Sequence, residues 1–303
     1  MTQTAAAPQK STIVRMFKAP LPIRAAFRTL DTVAPGVSAR WAERLWFTLP
    51  PTKPLPHAPG GERFVVTVDG NVQATGAAHY TGQVAGTTWG DGPVVYLAHG
   101  WAGHSGQFTA FVEPLVARGL RVVTFDMPSH GDSAPGAFGP RSTTFPEFTA
   151  ALLAVARRYG PPHAVVAHSA GAIATAGAIC DGLSARRLVL VAPMAGVTAA
   201  LRQFVDVLGG GERTYTRLAA RSVRRVGAPL HHFELPELGR AVQMPPTLVI
   251  HDRGDVSTPV GDGAAIAAAW PRARLHVTDG LGHNRILRDP GVVAMAAAFI
   301  TEP

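Results

Sequence analysis

A single cysteine, Cys180, excludes any disulfide within the chain, and with it any sign of an oxidising compartment. It falls in an alanine- and glycine-rich helical stretch and reads as a structural thiol. No apolar run reaches membrane-span length, because basic residues or prolines interrupt every candidate. The first 20 residues carry neither the unbroken apolar stretch nor the cleavage site of a secretory signal. These absences predict a cytoplasmic protein. No internal repeat is present, which excludes a solenoid. No nucleic-acid-binding module accompanies the positive charge, so no nucleic-acid partner is expected. No metal site is expected either: His231, His232 and Glu234 cluster, but no further ligand falls at metal-binding spacing.

What remains is a globular, alanine-rich chain, 47% hydrophobic and 16% charged over 303 residues. That length suits one large α/β domain with an insertion. The net charge of +8 is uneven. Residues 1–50 hold seven Lys/Arg against two acids, and residues 194–246 hold seven Arg against four, while the rest balances. A solvated basic face accounts for both segments.

Pro22 opens a helical pattern with Ile23, Ala26, Phe27 and Leu30 on one face, and Pro35 and Gly36 end it. Ser38 is expected to cap a second helix whose apolar face is Trp41, Ala42, Leu45 and Trp46. Pro50, Pro51, Pro54, Pro56 and Pro59 then make a stiff linker. The favoured reading packs these helices on the body of the protein or on a partner subunit. The alternative docks residues 1–48 on an anionic membrane surface.

After Glu62 the period changes. Phe64–Val68 alternates as a strand, Asp69-Gly70 turns, and a second strand is expected near Asn71–Thr75. Apolar runs follow at Val94–Ala98, Val122–Phe125, Ala164–Ala167, Leu188–Ala192, Leu248–Ile250 and Leu275–Thr278. Continuous runs of this kind suit strands covered on both faces. The helical stretches are Gln107–Arg118, Phe145–Tyr159, Ala170–Leu183, Val260–Ala269 and Val292–Ile300. The alternation predicts an α/β fold with a doubly wound, mostly parallel sheet. Residues 194–246 are too long for a loop, and their helical patches Ala199–Leu208 and Tyr215–Val226 suggest a cap over the carboxyl edge of the sheet. The expected organisation is an N-terminal helical extension and linker (1–60), a core (61–193 and 247–303) and a cap insertion (194–246).

One strand, Ala164–Ala167, runs through His168 and Ser169 straight into a helix. A serine at such a turn is lifted above the sheet, and the residues two before and two after it, Ala167 and Gly171, must be small. His283, in a glycine-flanked turn after the last strand, can serve as its base. Asp255, after the penultimate strand, can orient that base, with Asp252 as its rival. Asp126 and Asp279 read as turn residues. An oxyanion hole needs two N–H groups, here those of Ala170 and Trp101, the latter from the loop His99–Gly103. His99, His168 and Phe108 are candidate substrate contacts, with Phe111, Phe204 and Leu208 as further apolar lining. His99 is more simply explained as packing behind the loop, and His104, His130 and His168 as bonding backbone.

The ordered set His99-Gly100-Trp101, Asp126–Ser133, His168–Gly171, Asp252–Asp255 and Gly282-His283 resembles the α/β-hydrolase superfamily, in particular its bacterial esterase and monoacylglycerol-lipase-like branch. The resemblance spans about residues 62–303. It implies the fold, a Ser169–Asp255–His283 triad, the oxyanion hole and no cofactor. Two departures are Ala167 and Ser129, each where the family usually has glycine. The expected activity is hydrolysis of a small-molecule carboxylic ester, thioester or amide through an acyl-enzyme. The alternatives are a perhydrolase, haloperoxidase, carbon–carbon hydrolase or lyase on the same triad, and a fold that only binds a ligand.

Overall fold

The computed structural model describes residues 19–53, 55–70 and 80–302. The expected strand near Asn71–Thr75 lies outside them, as do the first 18 residues of the segment weighed for membrane contact. The sheet runs β1 (Glu62–Gly70), β2 (Tyr80–Trp89), β3 (Val94–Ala98), β4 (Arg121–Phe125), β5 (Ala164–His168), β6 (Arg187–Val191), β7 (Thr247–Asp252) and β8 (Ala273–Thr278). Their spatial order is β1-β2-β4-β3-β5-β6-β7-β8, with β1 and β2 antiparallel at one edge and β3 to β8 parallel.

The strands read as continuous apolar runs because helices cover both faces. Tyr96, Ala98, Val165 and Ala167 point into one core, while Val95, Leu97, Ala164 and Val166 point into the other. The first core is closed by helices Phe145–Tyr159 and Gly171–Cys180, the second by Thr109–Val116 and Pro290–Thr301. Every side chain of β3, β5 and β7 is withdrawn from water, which makes burial of apolar area the main favourable term.

At the N-terminus stand α1 (Leu21–Val33) and α2 (Pro35–Trp46). The expected cap at Ser38 is corrected. Proline suits a first helical position because its missing N–H would have no helical partner there, so Pro35 opens α2, with Ala34 before it. Ser38 lies inside the helix, fully buried, with its hydroxyl 2.7 Å from that of Thr214.

Two helices, Thr198–Leu208 and Glu212–Val226, lie between β6 and β7 in the segment expected to form a cap, and pack against this pair. Phe27, Ala42, Leu201, Phe204, Val205, Leu208 and Leu218 form a third apolar cluster there. Phe27 stacks on Trp41, 4.7 Å between ring centres. Phe27→Ala is expected to lower unfolding free energy by about 3 kcal/mol in denaturant titrations, the cost of emptying a buried aromatic site. A change under about 0.5 kcal/mol would mean that the cluster contributes little.

Candidate active site

Ser169 sits between the last residue of β5 and the first helical turn after it. Its φ is +54°, a left-handed value that a serine holds only when its surroundings over-determine it. The backbone is pinned there by its N–H donating to Val191 (3.1 Å) and its carbonyl accepting from Ala172 (3.1 Å). Close passage of the chain explains the small residue at Gly171: a Cβ there would lie 2.5 Å from the carbonyl oxygen of Ala98. The side chain is thereby presented at the carboxyl edge of the sheet, where it lines a cavity of about 700 Å³.

His283 lines the same cavity. Its Nδ1 is 2.7 Å from Oδ2 of Asp255, which is fully buried as a side chain. Burial alone would raise the Asp255 pKa. Hydrogen bonds from His251, His283 and the Thr258 amide outweigh it and hold the carboxyl well below the usual carboxylate range. Further donors to Oδ1 are the N–H groups of Ser257 and Thr258, at 2.7 and 3.0 Å. The carboxylate is therefore ionised and aimed, so that His283 donates from Nδ1 and keeps Nε2 as a lone pair. The Ser169 hydroxyl makes no hydrogen bond among the described residues, an open geometry common where substrate has yet to close the contact.

The rival acid has a different task. Asp252 accepts from Thr278 Oγ1 and the Leu281 N–H, each at 2.9 Å, and from the Gly254 N–H at 2.9 Å. It ties the His283 turn to the end of β7 without touching the imidazole. Asp126 likewise accepts from the amides of Ser105 and Asp132, and Asp279 is exposed beside Arg253.

Histidines build the rest of the frame. Burial pushes His168 down to about 3 and His130 to about 4, and holds His99 well below its ordinary value. His168 donates from Nε2 to the His283 carbonyl at 3.0 Å, with the two rings 4.6 Å apart. His130 accepts the Ala102 N–H at 3.0 Å, and His99 accepts that of Met127 at 2.9 Å. Unfolded, these histidines take up a proton near pH 6.5. Folded, they refuse it until far lower pH, so stability is lost as pH falls from 6.5 towards 4. Melting temperature is expected to drop across that window, and His168→Gln should make the drop shallower. A flat profile between those limits would contradict neutral buried rings.

The N–H groups of Trp101 and Ala170 donate to nothing among the described residues, while that of Ala102 is taken by His130. Trp101 and Ala170 both line the cavity. Ser129, standing where glycine was expected, has φ +65°, and its hydroxyl donates to the carbonyl of Ser142 at 2.8 Å.

Some expected substrate contacts are corrected. His99 is fully buried behind the loop and Phe108 is fully buried in the second core, packed on Phe111 at 5.8 Å. Phe204 and Leu208 face the N-terminal helices. None of these lines the cavity, whereas His168 does. Sequence reasoning missed other lining residues: Trp46, Phe47, Phe145, Ser222 and Phe233. Glu234 was weighed only as a metal ligand. It instead accepts the amides of Val197 and Thr198 (3.0 and 2.8 Å) at the start of the first cap helix. Among the described residues no group of three or more metal-ligating side chains is assembled, and no helix is long and apolar enough to cross a membrane.

The sequence matches the alpha/beta hydrolase family over residues 94–297, more than half of the chain. This protein belongs to the alpha/beta hydrolase family. A curated relative of this hydrolase is the pimeloyl-[acyl-carrier protein] methyl ester esterase of Nitrosomonas europaea. It is 27% identical over 245 residues, covering 67% of this chain and 93% of that protein. Among solved structures, the esterase EaEST from Exiguobacterium antarcticum superposes with a TM-score of 0.56 at 14% identity, covering 73% of this chain and 97% of that one. A bromoperoxidase from Bacillus anthracis gives 0.55 at 16% identity, covering 79% and 99%. At such identities these two structures show the shared fold alone, so the chemistry of this hydrolase has to be argued from its own site.

Proposed function

We propose that this hydrolase cleaves neutral carboxylic esters through an acyl-enzyme on Ser169. The observation that carries the reading is the 2.7 Å contact between His283 Nδ1 and a buried, ionised Asp255, with Ser169 on a left-handed turn in the same cavity. Ser169 Oγ attacks the ester carbonyl while His283 Nε2 takes its proton. The amides of Trp101 and Ala170 hold the oxyanion as it forms. The tetrahedral adduct then breaks its bond to the alkoxy oxygen, and the alcohol leaves with the proton from His283. Water, deprotonated by the same nitrogen, attacks the acyl group and frees the acid. The cavity lining supports a neutral substrate: among the described residues it includes Glu234 and Asp262 but no lysine or arginine. A free carboxylate finds no counter-ion there, which favours ester over acid and helps the product leave.

The test combines turnover with labelling. Release of p-nitrophenol from short esters, insensitive to EDTA, is expected together with attachment of a fluorophosphonate to Ser169, located by mass spectrometry. Labelling without turnover of any ester would instead point to a ligand-binding role.

A further inference from the structure

Part of the cavity wall comes from outside the family match. Trp46, Phe47, Pro50 and Thr52 line it, yet the match begins at residue 94. This segment is fastened along its length. The Leu49 N–H donates to the Arg141 carbonyl (2.8 Å), and the Leu49 carbonyl accepts from Arg141 Nη2 (2.7 Å). The Arg225 guanidinium lies over the rings of Phe47 and Phe138, 4.6 and 4.2 Å from their centres, and donates to Ser142 Oγ at 2.8 Å. Trp46 meets Phe204 edge-on at 5.1 Å. Further along, the Leu55 N–H donates to His104 Nε2 at 3.0 Å, and the Pro56 carbonyl accepts from Thr109 Oγ1 at 3.1 Å. Held at both ends, residues 46–52 are a fixed wall.

A second observation says what that wall meets. Ser222, on the cap helix Glu212–Val226, lines the cavity and is only 3% exposed. Among the described residues it is the one cavity-lining side chain whose buried polar atom has no partner. A buried hydroxyl without a partner is unfavourable unless a ligand completes it. Leu201, Val226, Leu230 and Phe233 line the same side, together with the polar Gln203 and Glu234, whose Oε1 is already taken by the amides of Val197 and Thr198. Ser222 stands on the helix Glu212–Val226 and Ser169 at the edge of the sheet, and both line the same cavity.

We propose that residues 46–52 and Ser222 together form the acyl-specificity wall, selecting long apolar acyl chains that carry one hydrogen-bonding oxygen near the far end. This inference rests on the esterase reading for the position of the ester, and its test avoids turnover so that the two can fail separately. Calorimetry on the full chain carrying Ser169→Ala measures binding of methyl alkyl ketones, from butanone to decan-2-one, and of their ω-hydroxy counterparts. Affinity is expected to climb with chain length to a limit. Thr52→Trp, at an exposed rim position that leaves the core intact, moves that limit to shorter chains. Trp46→Ala moves it to longer ones. The ω-hydroxy ketones bind roughly tenfold tighter than plain ones of equal length, and Ser222→Ala abolishes the difference. A length limit unmoved by both Thr52→Trp and Trp46→Ala would overturn the wall. Equal affinity for hydroxylated and plain chains with Ser222 intact would overturn the polar contact. Ketone binding with these dependences, but no cleavage of any ester, would reject the esterase reading and leave the pocket assignment standing.

Discussion

Ser169→Ala and His283→Ala are each expected to lower ester turnover by roughly 10³-fold or more, because nucleophile and base act as a unit. The double variant should lose little beyond either single one. Folding should survive in both. Among the described residues the Ser169 side chain makes no hydrogen bond, and its backbone anchors, the bonds to Val191 and Ala172, are untouched by alanine. Alanine also tolerates the left-handed φ no worse than serine does. The turn that carries His283 is held by its carbonyl, through His168, and by Asp252 through the Leu281 amide. Melting temperature and circular dichroism should therefore match the parent while p-nitrophenol release disappears. A Ser169→Ala protein retaining a tenth of the parent rate would require another nucleophile and sink the assignment.

The fold was legible in the sequence where local pattern and global packing agree. Runs such as Val94–Ala98 and Ala164–Ala167 are apolar throughout because helices cover both sides of the sheet, and only such strands look like that. The missed strand, Tyr80–Trp89, breaks its pattern with glycines. Gly86 is required by position: a Cβ there would lie 2.4 Å from both the Phe64 ring and the Thr124 carbonyl. That need comes from neighbouring strands, so no local window reveals it.

The site divides in the same way. Ser169, Asp255 and His283 stand directly after strand or turn signals, and sheet order brings their loops together. The cavity wall is another matter. Trp46 reads as part of the apolar face of an amphipathic helix, and Phe47 falls between that helix and the proline linker. Only the docking of that helix on residues more than 150 positions later turns them towards Ser169. Phe108 was misplaced for the converse reason: helical spacing gives a face, but which side of the sheet that face meets is a tertiary fact.

Asp255→Asn is expected to cost about 10³- to 10⁴-fold in turnover with little loss of stability, and Asp252→Asn to do the reverse. At residue 255 the two backbone donors, Ser257 and Thr258, both converge on Oδ1. An asparagine keeps its oxygen there and turns its NH₂ group towards His283 Nδ1. That nitrogen must then accept, which moves the ring proton to Nε2 and removes the lone pair that takes the serine proton. At residue 252 the donors are divided, Gly254 on Oδ1 and Thr278 with Leu281 on Oδ2. An asparagine there must oppose an NH₂ group to at least one N–H, costing about 1–3 kcal/mol of stability. The imidazole of His283 keeps its own partner. Turnover should then stay within roughly tenfold of the parent, since the charge-assisted contact at Nδ1 is intact. Parallel measurements of kcat and melting temperature decide the matter. A catalytic collapse in Asp252→Asn beside a nearly active Asp255→Asn would move the orienting acid one turn back along the chain, to the end of β7.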